Sequence, residues 1–229
     1  MLCNNKETMS KIKILENHDK DQWREKEETD DLFVIKRGCK VLICALPDYG
    51  KSNLCKNIIA HSNAYKPYDK IFLCHIDKNT REYDELSCDI CDISELPNVE
   101  QFNPSEKTLI IFEDVCFRSL KRADKEKLMM LLRYGCSHRG ITIITLCHSF
   151  YTLPPVFRDK NDVFIIYLFN KRTMNDICDK VYIKKDNLER IINDNLKCKY
   201  DFLCIDLTGN RPAITCNMSK VISEEIERY

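Results

Sequence analysis

The feature that most constrains this chain is an apolar strand that runs into a glycine-lysine-serine turn and out into a helix. VLIC at 41–44 leads into Ala45-Leu46-Pro47-Asp48-Tyr49-Gly50-Lys51-Ser52, and a helical pattern follows over 51–63. The spacing is that of a phosphate-binding loop with alanine at the first glycine position. A buried strand delivers the chain to a tight turn, whose backbone N–H groups converge into a nest for phosphate oxygens. The helix that opens at Lys51 adds the positive end of its dipole. In such a loop Lys51 reaches the β- and γ-phosphates and the Ser52 hydroxyl ligates Mg2+. The nucleotide-contacting set expected here is Ala45, Pro47, Asp48, Tyr49, Gly50, Lys51, Ser52 and Asn53. Two of these depart from the usual pattern. Ala45 has less backbone freedom than glycine, and Asp48 brings a carboxylate near phosphates, so its side chain is expected to point outward.

The rest of the chain fits one α/β layer arrangement. Short apolar runs are expected as strands near 40–45, 70–74, 108–112, 141–147, 163–167 and 202–206, and they alternate with helical patterns. VLICA, TLIIF and ITIITL are apolar on consecutive residues, as strands read when helices cover both faces of a parallel sheet. Helices are expected over 51–63 and 119–134, the second burying Leu120, Leu128, Leu131 and Leu132, with shorter ones near 174–180 and 185–195. The stretch 79–106, rich in acids and interrupted by Pro97 and Pro104, reads as a connection with a short helix or an edge strand.

Two more strand ends carry chemistry. Thr108-Leu109-Ile110-Ile111-Phe112 closes on Glu113 and Asp114, and Mg2+-dependent phosphoryl transfer needs an apolar strand ending in acids. By position Glu113 takes the metal role with Ser52, and Asp114 that of the base that orients water. The strand at 141–147 ends in His148 and Ser149. Ligands of an open parallel sheet sit beyond the carboxyl ends of its strands, so His148 is a candidate sensor of the γ-phosphate.

Composition bounds the functional classes. The chain has 229 residues, and its 36 lysines and arginines balance 36 aspartates and glutamates. Bulk positive charge therefore does not drive nucleic-acid binding, although a local basic strip remains open. No apolar run approaches the roughly 20 residues that span a bilayer, and the polar start shows no secretory apolar segment. The 14 cysteines, several inside apolar runs, read as free thiols in a reducing compartment. A zinc site built from Cys88-x-x-Cys91 with Cys136 or His138 lacks two well-spaced ligand pairs, and thiols in a loop are the plainer reading. Residues 1–31 read as a charged leader, 32–210 as the catalytic domain and 211–229 as a C-terminal tail or helix.

The loop, the two-acid strand, and the stretch SHRGITIITLCHSFYTLPPVFR together resemble the FtsK/HerA superfamily. Within it they are most similar to the poxvirus-type genome-packaging ATPases of large DNA viruses, with virophage and Polinton-type relatives. The resemblance covers 33–169 and extends toward 206. It implies a RecA-like P-loop NTPase with a mostly parallel central sheet and helices on both faces. It also implies ATP and Mg2+ as cofactors, a homo-oligomeric ring that is commonly a hexamer, and translocation of double-stranded DNA without sequence reading. Capsid or portal-vertex proteins would be partners, in the host cytoplasm, a viral factory or the virion. Gly50, Lys51 and Ser52 match the family's loop, Glu113 and Asp114 its acids, and Leu153, Pro154 and Arg158 its LPxxxR stretch. His148 stands where the family usually has glutamine. Ser137-His138 occupies the place of an Arg-His pair, so a trans-acting arginine finger would come from Arg139, Arg133 or Arg158. DNA contacts are expected from Arg118, Lys121, Arg122, Lys125 and Lys127. Two other readings stay open: a small-molecule kinase with a phosphate loop, and a nucleotide-binding subunit without turnover.

Overall fold

In the computed structural model, which describes residues 35–167, 171–209, 213–218 and 220–221, strand and helix alternate around one mixed sheet. The leader expected at 1–31 lies outside the described residues. The elements run β1 (Lys40–Cys44), α1 (Lys51–Tyr65), β2 (Lys70–His75), β3 (Asp89–Cys91), β4 (Thr108–Glu113) and α2 (Arg122–Met130). Then come α3 (Cys136–Arg139), β5 (Thr142–Cys147), α4 (Pro155–Asp159), β6 (Val163–Ile166), α5 (Lys171–Val181), α6 (Lys185–Asn195), β7 (Leu203–Asp206), β8 (Ala213–Cys216) and β9 (Lys220–Val221). The strand order is β3-β2-β4-β5-β1-β6-β7-β8-β9. Strands β1 to β6 pair in parallel, and β7 to β9 add an antiparallel meander at one edge.

Both faces are covered, which is why the central strands are apolar on consecutive residues. Val41 and Ile43 of β1 pack with Cys55, Ile58 and Ile59 of α1 on one face. Leu42 and Cys44 pack on the other with α2, α5 and α6, through Leu128, Ile177 and Leu188. All of these are at most 2 % exposed, and each fully buried aliphatic side chain stabilises by roughly 1.5–3 kcal/mol. Leu131 and Leu132 are buried as the expected helix requires, while Leu120 is only partly buried. That helix is not one regular α-helix: a π-helical turn over Leu131–Gly135 joins α2 to α3.

Local chemistry sets the helix ends. Gly50 holds φ 79° just before α1, a left-handed conformation that costs glycine little. At the other end, Lys66 is extended because Pro67 follows it. Gly140 (φ 64°) stops α3, and Pro155 opens α4 at its first turn.

The 79–106 connection contributes β3 as an edge strand and three single turns of 3-10 helix. The described part of 211–229 forms β8 and β9, where the sequence reading expects a tail or helix. Strands of four and two residues are too short to announce themselves by an apolar run. The Cys88-x-x-Cys91 pair is split across the sheet: Cys88 packs on the α1 face and Cys91 on the other, as the two-residue period of a strand requires. Among the described residues no metal-binding cluster occurs and every cysteine is free. Burial pushes the Cys39, Cys136 and Cys204 thiols up to about 12, so they act as small apolar residues.

Candidate nucleotide site

All the chemistry-bearing strand ends emerge on one edge. β1, β4, β5 and β2 end in the 45–50 loop, Glu113-Asp114, His148 and His75 respectively. β5 lies between β1 and β4, so the loop strand and the acid strand are two strand spacings apart, about 10 Å. The Ala45 N–H donates to the Cys147 carbonyl at 3.2 Å, which ties the loop's start to the end of β5.

Ala45 is buried and keeps its φ out of the positive range, so its Cβ costs nothing there. Asp48 is exposed and left-handed (φ 63°), a conformation aspartate tolerates better than most residues. Tyr49 packs edge-on against Tyr167, with ring centroids 6.1 Å apart.

Side chains from α1 and β4 span the gap. The Ser52 hydroxyl donates to Glu113 Oε1 at 2.5 Å. Glu113 is 4 % exposed, and its Oε2 is buried with no hydrogen-bond partner. A buried carboxylate oxygen left unpaired is costly, and a hydroxyl beside it completes an oxygen donor set that suits a hard cation such as Mg2+. The residues present therefore fit the metal that the loop implies.

A second chain of contacts crosses the same gap. Lys51 Nζ donates to the Leu46 carbonyl at 3.2 Å and lies 2.8 Å from His148 Nδ1. His148 Nε2 is 3.2 Å from Asp114 Oδ1, and His75 Nε2 is 3.9 Å from Asp114 Oδ2. An ammonium can only donate, so His148 Nδ1 accepts and the imidazole proton sits on Nε2, facing the carboxylate. His75 Nδ1 lies 2.9 Å from the Asp77 nitrogen and 3.0 Å from its carbonyl oxygen, with Nε2 toward Asp114. Asp114 reaches this position through a left-handed backbone (φ 51°) at the end of β4. Desolvation holds the Lys51 ammonium below its ordinary range, against the opposing pull of Asp114 and Glu113.

The structure thus gathers Lys51, Ser52, Glu113, Asp114 and His148 at one mouth. It also adds residues that carry no motif. His75 occupies the last position of β2, in register with Glu113. Tyr83 lies beneath; burial, with Cys55 and Glu113 beside it, pushes its phenol far up. Lys199 and Tyr200 approach the loop from the turn before β7, two strands away from β1. Strand order could have found His75; nothing in the sequence points to the others.

The arginines lie elsewhere. Arg139 precedes β5 at the end opposite His148, and six residues of strand cover about 20 Å, so it does not reach this mouth within one subunit. Arg133 is exposed on the π-helical turn. Arg158 sits on α4 with its guanidinium 5.8 Å from the Phe150 ring centroid, in a groove it lines with Arg133, Phe117, Leu128, Leu153 and Phe157.

These features define a P-loop domain of RecA-like α/β architecture whose phosphate loop faces a pair of acids. Among solved structures, the chain is similar to the DNA-packaging ATPase B204 of Sulfolobus turreted icosahedral virus, with TM-score 0.58 and 17 % identity over 79 % of this chain and 98 % of that one. The B204 packaging NTPase of Sulfolobus turreted icosahedral virus 2, in complex with sulfate, gives TM-score 0.56 and 18 % identity over 85 % and 100 % of the two chains. The conjugation coupling protein TcpA of pCW3, bound to ATPγS, gives 0.52 and 12 %, over 81 % of this chain and 60 % of that one. The fold is therefore the one these packaging and coupling proteins share. No protein-family model and no curated protein matches the chain. Among the described residues, no helix is long and apolar enough to cross a membrane.

Proposed function

We propose that this protein is an ATPase motor that translocates double-stranded DNA and packages a viral genome into a capsid, working inside the host cell as a homo-oligomeric ring. The observation that carries the reading is the 2.5 Å contact between Ser52 and Glu113, which brings the phosphate loop and the acid strand into one site. Mg2+, held by Ser52 and Glu113, would supply charge neutralisation on the β- and γ-phosphates. The loop's N–H groups and Lys51 bind and orient the same phosphates. Asp114, aligned by His148, orients the attacking water and accepts its proton. Arg139, Arg133 or Arg158 of a neighbouring subunit would complete the site, and a finger of this kind is worth ~10³–10⁵ in rate.

The small-molecule kinase reading finds no support in the segment it needs. Residues 155–166 form a short helix and a strand of the central sheet, not a lid. Packaging is supported by the likeness in fold to B204, which is a DNA-packaging ATPase.

The test is phosphate release from ATP with and without double-stranded DNA, run beside a mass measurement of the assembled species. DNA-stimulated turnover by a ring is the expected result. Lys51→Ala should abolish turnover without unfolding, because it removes a buried cation rather than a packing group. Full activity in that variant would overturn the assignment, and turnover that ignores DNA would separate the hydrolase from the motor.

A further inference from the structure

Two tyrosines and a lysine meet beside the phosphate loop, and neither the loop motif nor the acids account for them. The turn at 197–201, which connects α6 to β7, folds over the loop. A Cβ added at Gly50 would lie 3.9 Å from Tyr200 Cδ1, in ordinary van der Waals contact. Tyr200 is 63 % exposed, yet this turn is not loose. Asp201 accepts from the Lys197 and Cys198 N–H groups at 2.8 and 2.7 Å and from the Asn217 amide at 3.0 Å. Lys199 Nζ lies 5.3 Å from the Tyr49 ring centroid and 5.6 Å from that of Tyr200. The two rings therefore converge on one point, and that point adjoins the residue from which the phosphate-binding helix starts. Behind them, Tyr167 backs Tyr49, and Phe202 lies 5.4 Å from Tyr167.

An exposed aromatic carried on a pinned turn beside a phosphate nest has a definite use. A nucleotide seated by its phosphates projects its base only a few ångströms away, and every base offers a π-face. We propose that Tyr200, with Tyr49, is the nucleobase platform of this site, and that it takes the base by its face without reading its edge. The inference rests on the nucleotide-binding reading above and assigns the part of the ligand which that reading leaves unplaced. The polar groups of the turn support the second half: Asp201 and Asn217 are engaged with each other and with backbone, so neither is spare to recognise adenine. The site accepts purine triphosphates generally, and Lys199, which occupies the convergence point in this structure, yields it to the base.

The test uses the full chain and three probes in the presence of Mg2+: ATP, GTP and inorganic tripolyphosphate, with binding measured by calorimetry. ATP and GTP should bind wild type within about threefold of each other, as stacking without edge readout requires. Tyr200→Ala should weaken ATP and GTP alike, by about tenfold to a hundredfold, and leave tripolyphosphate affinity where it was. Tyr200→Phe should restore both nucleotides, since the ring and not the hydroxyl stacks. Equal losses for nucleotide and tripolyphosphate in Tyr200→Ala, no loss for either, or failure of Phe to rescue would overturn the platform. A strong preference of wild type for ATP over GTP would overturn the absence of edge readout. If wild type binds tripolyphosphate no better than Lys51→Ala does, the phosphate-loop reading itself fails, and the platform falls with it.

Discussion

His148 bridges an ammonium and a carboxylate. Lys51 Nζ approaches its Nδ1 at 2.8 Å and Asp114 Oδ1 its Nε2 at 3.2 Å, so one nitrogen must accept while the other donates. A second proton would set two cations against each other across the first of these contacts. In the proposed mechanism the residue is a spacer of fixed polarity between the cation that binds phosphate and the base. Truncation to alanine frees both, and a displacement of the base by about 1 Å costs ~10²-fold. His148→Ala should lower kcat by about ten- to a hundredfold while ATP still binds. His148→Gln should recover part of the rate, because an amide also carries one acceptor and a donor. Steady-state kinetics on the two variants decides the matter, and equal rates in both would remove His148 from the arrangement. Lys51, Ser52 and the acids were legible because each sits at a fixed offset from a strand end. His75 was not, because its importance comes from lying beside Glu113 across two strands, a relation that only the sheet order creates.

Elements divide along the same line. The central strands announced themselves through consecutive apolar residues, since helices bury both of their faces. β3, with three residues and one neighbour, and β8 and β9, at the antiparallel edge, lack that signal. That edge bears on the site, because the turn at 197–201 is pinned to it: the Asn217 amide, just past β8, donates to Asp201. That hydrogen bond, with the Cys198 and Lys197 N–H groups, holds the Asp201 carboxyl below its ordinary range. A carboxyl whose folded value lies below its unfolded value adds stability above the unfolded value, and loses it as pH falls through the folded one. Wild type should thus melt above Asp201→Asn at neutral pH, and the gap should close as pH falls below about 4. Thermal melts of the two proteins across that range test the point, and a gap that persists at low pH would show that the charge is not what secures the turn.

At the scale of the whole molecule, zero net charge means that any grip on DNA must come from local cations, and the structure sorts the five expected at 118–127. Arg122 pairs with Glu126 at 2.9 Å, and the Lys127 ammonium donates to the Ser94 and Leu96 carbonyls. Lys127 is thus tied to the fold, and Arg122 is partly neutralised. Arg118, Lys121 and Lys125 are exposed at or just before the start of α2, Arg118 and Lys125 with a single longer carbonyl contact each, at 3.3 and 3.5 Å, close in sequence to the acids that end β4. Each phosphate contact contributes about 0.9 to the slope of log affinity against log salt. A Lys121→Ala/Lys125→Ala pair should therefore flatten the slope by about two and weaken binding to all duplexes alike. Arg122→Ala should change it by less than one. DNA-stimulated phosphate release should fall with the pair while DNA-independent release holds. Salt titrations of duplex binding on the three proteins supply the measurement. An unchanged slope in the double variant would take the start of α2 out of the DNA path and direct the search to the remaining exposed cations.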